Sequence, residues 1–388
     1  MILPAHPQPQ SDEILSSWMV RLSIENGWHL HTFYKKIIGY EEMLWNRDLD
    51  KYHRPALVDC LTKATGISHD KIAHLSLYSY YGRLIHGNPN AANLRWILPL
   101  GIYHRRRRRP GQLFCPICLS EGSTTYYRKH WRLAFYSVCH IHHVVLLDRC
   151  PECSSPIEFH RIGFGSKLEP IPEGKLDHCH NCSFNLGGSS TKSTGQLHLG
   201  NAKPYLNLLS EFVRAEEVFL GKKIALPLSY YEGLRFIVKM LLHPYSKQFR
   251  DAYFRTFGGD ADLQIDTGLA FEYQPLETRL TIALMACWLM SNWPENFEFA
   301  CKEKLLFRTA ISDDSTCLPF WLSKVVQTHL SNNTYLYSNE EVLKAISYLR
   351  SQNVPLSAKS LGYILGIGRD SALNYLSRLR ATTHPHGE

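Results

Sequence analysis

Eight cysteine and histidine residues between positions 115 and 182 constrain this chain more than anything else in it. They form two sets. The first reads Cys115-Pro-Ile-Cys118, then twenty residues, then Cys139-x-x-His142. The second reads Cys150-Pro-Glu-Cys153, then twenty-five residues, then Cys179-x-x-Cys182. A Cys-x-x-Cys turn brings two thiolates to one tetrahedral ion; two such turns fill the shell and leave no position for a reactive water. The spacing therefore predicts two structural zinc sites, two ions per chain. Cys115, Cys118, Cys139 and His142 would hold one, and Cys150, Cys153, Cys179 and Cys182 the other. That pairing follows sequence order, and a cross-brace is the alternative. Disulfides or scattered thiols are the other reading. Against it stand the fourfold recurrence of the x-x spacing and an opening, MILPAHPQPQSDE, without the basic and apolar regions of an export signal.

A length of 388 residues calls for two or three folding units, and 44% apolar residues is ordinary for a globular chain. The longest apolar run, Leu280 to Met290, is half of what a membrane span needs and reads as a buried core helix. The expected compartment is the reducing cytoplasm, with Cys60, Cys287, Cys301 and Cys317 as plain buried thiols. The formal charge is +8. Seven thiolate ligands would remove seven charges and two zinc ions return four, which leaves a mild excess that permits nucleic-acid contact without demanding it.

Ser11 reads as a helix N-cap with Asp12 and Glu13 in the first turn, ahead of an apolar stripe from Ile14 to Leu22. A shorter helix is expected from Leu30 to Ile38. Residues 56–77 read as two short helices about Gly66, a helix-turn-helix pattern with Leu61, Ile67, Ile72 and Leu75 inward. Its second helix offers no arginine, which favours packing or protein docking over DNA reading. Arg105, Arg106, Arg107, Arg108 and Arg109 form an unbroken run that suits sequence-independent phosphate contact; a solvated surface is the alternative. Residues 187–196 have a linker's composition. Helical spacing returns over 204–220, 228–242, 276–292, 319–330 and 339–351, with a loop expected over 255–270. Residues 356–380 fit a helix-turn-helix closely: Gly366 takes the turn, Gly362 the crossing, and the second helix exposes Arg369, Asn374 and Arg378. These can face DNA or a protein partner.

Together these signals predict a mainly α, multidomain fold. A helical, helix-turn-helix-like part would span 1–110, a tandem zinc module with short β elements 111–186 and a linker 187–199. A helical bundle ending in a helix-turn-helix would span 200–388. The sequence contains no Gly-x-Ser-x-Gly, no Walker loop and no His-Glu-x-x-His, so enzyme chemistry is not expected. His140 and His143 have no acid near them in sequence, and His178 and His180 read as outer-shell donors or surface residues.

The segments FCPICLSEG and YYRKHWRLAFYSVCHIHHVVLLDRCPEC resemble the TniQ/TnsD family of transposition target-selection proteins. The likeness rests on Cys115, Cys118, Leu119, Trp131, Arg132, Leu133, Cys139, His142, Leu146, Leu147, Cys150 and Cys153. It extends to the opening PQPQSDEILSSWMVRLSIENG and to LTKATGISHDKIAHLSL, and covers about the first 185 residues. His140 departs from the family, where proline is common. In length the chain is most similar to the TniQ subunits of CRISPR-associated transposons. The resemblance implies a non-catalytic adaptor, a head-to-tail homodimer in the cytoplasm of a bacterium, associated with the nucleoid. It would bind the guide-RNA-bearing Cascade complex and recruit the AAA+ regulator TnsC to target DNA. A TnsD-like protein that reads an attachment site directly is the alternative.

Overall fold

The computed structural model describes residues 2–377 apart from 53, 89–90, 92, 162–175, 194–201, 215–217, 221–222, 259–262, 304, 307–317, 331–336, 368 and 370–371. Chain contacts divide it into two compact units, Met1–Leu330 and Ser331–Glu388. Helices dominate the regular structure, with short two-stranded hairpins beside them. Among the described residues no helix is long and apolar enough to cross a membrane.

The first unit opens with α1 (Leu15–Glu25), then α2 (Leu30–Thr32), which runs into a π-helical turn at Phe33–Ile37. Ser11 does not cap α1. The helix starts at Ile14 without a side-chain cap; Asp12 is paired with Arg128, and Glu13 turns onto the side chains of α1 itself. Glu13 is wholly buried, takes two nitrogens of Arg21 at 2.9 and 2.6 Å, and accepts the Ser17 hydroxyl at 2.9 Å. Two short helices follow, α3 (Pro55–Thr65) and α4 (His69–Ala73), with Gly66 left-handed at φ 70° between them. Leu61, Ile67, Ile72 and Leu75 are all buried there, as their spacing predicts.

The arginine run builds a hairpin of β1 (Ile102–Tyr103) and β2 (Arg106–Arg107), with Tyr103 opposite Arg106. His104 and Arg105 make its turn, both at positive φ. A short helix, α5 (Pro116–Ser120), then starts the cysteine-rich segment.

Beyond it come α6 (Lys203–Arg214), a hairpin of β3 (Val218–Leu220) and β4 (Lys223–Ala225), and α7 (Pro227–Leu242). The helix expected over 204–220 ends early, because Val218, Phe219 and Leu220 alternate between buried and exposed and pair as a strand. Next are α8 (Lys247–Phe257), α9 (Leu276–Ser291), α10 (Glu295–Lys302) and α11 (Phe320–His329). The apolar stretch Leu280 to Met290 lies in α9, packed against α6 and α7. One continuous core runs from Leu3 to Leu330. Cys287 is buried; Cys60 and Cys301 are half-buried, against expectation, and Cys317 lies outside the described residues.

The second unit contains α12 (Asn339–Ser351) and α13 (Ala358–Leu365), each opened by a reciprocal serine capping box at Ser338 and Ser357. Gly366 closes α13 at φ 64°, and residues 372–377 are helical again. Val342, Ile346, Leu349, Leu361, Leu365 and Ala372 make a separate small core.

Candidate metal centres

Three of the four ligand turns share one backbone design. In each, the residue after the second ligand is left-handed: His143 at φ 53°, Ser154 at 57° and Ser183 at 59°. That residue's N–H returns to the carbonyl of the first cysteine, from His143 to Cys139 at 2.8 Å, Ser154 to Cys150 at 2.9 Å and Ser183 to Cys179 at 2.9 Å. The first cysteine's own N–H then donates across the turn, to Val144, Ser155 and Phe184 respectively. Each turn is flanked by a β-bridge, Val138 to Val145, Arg149 to Pro156 and His178 to Asn185. Cys115 starts α5 instead, and Leu119 N–H donates to its carbonyl. The ladder groups of every turn are thus satisfied locally, and the side chains of the two ligand positions are left on one side of the loop.

The turns meet in sequence order. Donor atoms of Cys115, Cys118, Cys139 and His142 lie within 4.8 Å of one another, as do those of Cys150, Cys153, Cys179 and Cys182. His142 presents Nδ1 to the sulfurs of Cys118, Cys115 and Cys139 at 3.3, 3.5 and 3.6 Å. Sulfur–sulfur separations are 3.7 Å for Cys118–Cys139 and 3.6 Å for both Cys150–Cys182 and Cys153–Cys179. Four ligands at about 2.3 Å from a tetrahedral zinc stand roughly 3.7 Å apart, whereas a disulfide would need about 2.05 Å. The described cysteines are all unbridged. The donor sets fit a divalent, thiophilic ion.

Charge gives the same answer. Without a cation the first cluster cannot ionise fully. Hydrogen bonds from Cys115 and then Cys118 hold the Cys139 thiol far below the usual range, while Cys115 and Cys139 push Cys118 far above it. In the second cluster burial lifts Cys179 to about 12. Burial also opposes ionisation of Cys153, but hydrogen bonds from Ser155, Asn181 and Cys182 together outweigh it and bring that thiol to about 6. A divalent ion removes this conflict by compensating several thiolates at once. The first cluster is enclosed; the second has Cys182 exposed.

Glu121 was not signalled by the sequence reading. Its carboxylate meets His142 Nε2 at 2.8 Å, which fixes the tautomer with Nδ1 free to face the thiols. It follows α5 directly, so the same helix that places Cys118 places it. His140 pairs with the Tyr136 hydroxyl and His178 with Asp177 at 2.7 Å, and neither belongs to a four-donor set. His180 Nε2 faces Glu158 at 3.5 Å.

Segment 126–137, between the halves of the first cluster, is gripped by the rest of the unit. Arg128 pairs with Asp12 at 2.5 Å, and Tyr126 donates to the same carboxylate at 3.0 Å. Lys129 Nζ donates to His74 O and Ser79 Oγ at 2.6 and 2.7 Å. Arg132, wholly buried, reaches Asp48 at 2.6 Å and Asp50 at 3.6 Å. Burial and the neighbouring Asp48 charge lift Asp50 to about 6. From the later helices, Tyr205 on α6 donates to Phe135 O at 2.7 Å, and Arg279 on α9 donates to Ala134 O at 2.9 Å. Residues 187–193, expected as a free linker, also lie against the module. Val145 N–H donates to Lys192 O at 2.9 Å and Val144 bridges Ser193, so composition misleads there; 194–199 lie outside the described residues.

The five arginines have different fates. Arg107 is buried, with its Nη1 on Ile157 O at 2.9 Å and its guanidinium 4.8 Å over the Phe159 ring. It cannot serve as a surface contact, because β pairing alternates the run and turns this one inward. Arg105, Arg106, Arg108 and Arg109 are exposed. Arg108 stacks over Tyr103 at 3.9 Å and Arg109 over Tyr273 at 4.6 Å. In the second unit Arg369 and Asn374 are exposed, and Arg378 lies outside the described residues.

Residues 4–146, from the N-terminal proline through the first cluster, match the TniQ family model. Over that stretch, about a third of the chain, the protein is similar to the TniQ family. No curated protein matches the sequence. The TniQ family is one of non-catalytic adaptors in transposition, with a role in target selection or DNA binding. The matched stretch contains the whole first cluster, and the second cluster lies just beyond it.

Proposed function

We propose that this chain is the adaptor of an RNA-guided transposition system, joining a Cascade complex to the AAA+ regulator TnsC at the chosen DNA. The observation that carries the reading is segment 126–142. It supplies half of a closed four-donor shell and is hydrogen-bonded both to the N-terminal helices and to α6 and α9. A shell with four protein donors has no place for substrate, so it serves to hold parts in register. In such systems base pairing reads the sequence, and the adaptor needs rigid protein surfaces more than a DNA code.

In this reading zinc fills both sites. Arg105, Arg106, Arg108 and Arg109 meet a guide-RNA or DNA backbone, and Arg369, Asn374 and Arg378 meet DNA or a partner. Residues 1–110, 111–186 and 200–388 divide the partner contacts among them, and the working form is a homodimer. Reconstitution tests it. Purified chain, Cascade with guide RNA, and TnsC should co-elute together, with TnsC lost when the chain is omitted. Recruitment of TnsC without the chain, or no binding to Cascade, contradicts the reading.

Direct reading of an attachment site is the second reading, favoured by the exposed Arg369 and Asn374 of the C-terminal unit. Sequence-selective binding by the chain alone that survives about 200 mM salt would support it, since backbone contacts weaken steeply over that range.

A further inference from the structure

The root of the arginine hairpin forms one wall of a hollow of about 510 Å³, lined among others by Arg47, Tyr52, Arg95, Arg109 and Tyr273. Two carboxylates also line it, and both are already compensated. Asp48 takes two nitrogens of Arg132 at 3.2 and 2.6 Å. Glu272 takes Arg235 Nη2 at 2.9 Å and the Trp96 N–H at 2.6 Å. Lys51 is turned to the Ala91 carbonyl with its ammonium 5.2 Å over the Tyr52 ring, and Arg95 shares Glu232 with His86. Arg47 and Arg109 have no carboxylate partner among the described residues. The hollow therefore carries a positive surplus at the Arg47 and Arg109 guanidiniums. Arg109 is held over the Tyr273 ring, which orders its fork before any ligand arrives.

A guanidinium fork matches a phosphate in two parallel hydrogen bonds. Half-buried Tyr52 lines the hollow with the Lys51 ammonium beside its ring, and an aromatic ring is a stacking surface that any base can use. A hollow of this size falls in the usual range of about 300–1,000 Å³ for small-molecule sites, large enough for one nucleotide and too small for a duplex. Exposed Arg105, Arg106 and Arg108 precede Arg109 on the hairpin, so a strand lying on them has a basic path to the hollow.

We propose that this hollow binds one unpaired nucleotide, with its phosphate on Arg47 and Arg109 and its base against Tyr52. The proposal is independent of any bridge between Cascade and TnsC, and its test needs only the intact chain. A free nucleotide and a nucleotide within a single strand present the same chemistry.

Fluorescence anisotropy with a labelled oligothymidylate, with AMP as competitor, separates those two sources. Arg47→Gln and Tyr52→Leu should each weaken single-strand binding about tenfold while leaving thermal melting unchanged. Replacing Arg105, Arg106 and Arg108 by serine should weaken single strand and duplex alike. If AMP displaces the strand at far lower concentration than inorganic phosphate does, the site is one for free nucleotides. If neither displaces it, the site belongs to the strand; both results keep the hollow as the binding place. Unchanged affinity in both Arg47→Gln and Tyr52→Leu, or no binding of either probe by the unaltered chain, overturns the proposal.

Discussion

His142 and Glu121 form a relay: Glu121 Oε2 stands 2.8 Å from Nε2, and Nδ1 of the same ring faces three thiols. The carboxylate sets which nitrogen carries the proton and so which one can bind metal. Because Glu121 is largely exposed, its share of the folding energy is small, and its effect falls on metal retention. Glu121→Gln should leave the fold intact and lower metal affinity about tenfold, read by competition with a chromogenic chelator. Unchanged affinity would assign the contact to the surface alone.

The two sites should release metal in a set order. Cys115, Cys118 and Cys139 are buried, whereas Cys182 is exposed and Cys153 half-buried. A chelator reaches the second cluster first. Stopped-flow release should therefore be biphasic, and Cys182→Ser should abolish the fast phase. Cys118→Ser should be the more damaging change, removing a donor from inside the core that α1, α6 and α9 share and costing cooperative unfolding of the whole first unit. Equal melting of the two variants would contradict this.

The eight donors, their order of pairing and the helix-turn-helix turn at Gly366 were legible because each is a local pattern: a fixed spacing, or a glycine at positive φ. The shared turn conformation at His143, Ser154 and Ser183 was not, since nothing in those residue types announces a left-handed backbone. Glu121 was hidden because its partner is 21 residues away in sequence. Asp12 and Glu13 misled because acids before an apolar stripe read equally as a first helical turn; their ion pairs with half-buried Arg128 and buried Arg21 decided otherwise. Arg107 shows the same limit. Five identical side chains in a row carry no sign of which one the hairpin turns inward.

Arg107 should separate from its neighbours in experiment. Arg107→Ser removes a buried bond to Ile157 O and the stack on Phe159 and should destabilise the first unit by about 2–3 kcal/mol, read by urea unfolding. Serine at Arg105, Arg106 and Arg108 together should leave stability within about 0.5 kcal/mol. The same triple change should flatten the salt dependence of duplex binding by about 0.9 per lost phosphate contact.

His160 gives the first unit an acid sensitivity. Its ring stacks on Trp45 at 4.9 Å and Nε2 donates to Arg105 O at 3.2 Å, while burial, with Arg107 adding, holds its pKa well below 6.5. The folded ring stays neutral, and the unfolded chain takes up the proton near pH 6.5. The unfolded state thus binds more protons below that value, and stability falls as pH falls through it, by up to about 1.4 kcal/mol per pH unit for this group. His160→Phe keeps the stack and removes that contribution, so the difference in unfolding free energy between variant and parent should shift in the variant's favour from pH 7 to pH 5. A pH-independent difference would refute the assignment.

The closed double clamp is tested most directly by elemental analysis of the purified, cooperatively folding protein, before and after exhaustive chelation. The account predicts two zinc ions per chain at the two four-donor clusters, and loss of the cooperative melt once both are removed. Protein that melts cooperatively with fewer than two bound ions, or that keeps its melt when stripped, would contradict it.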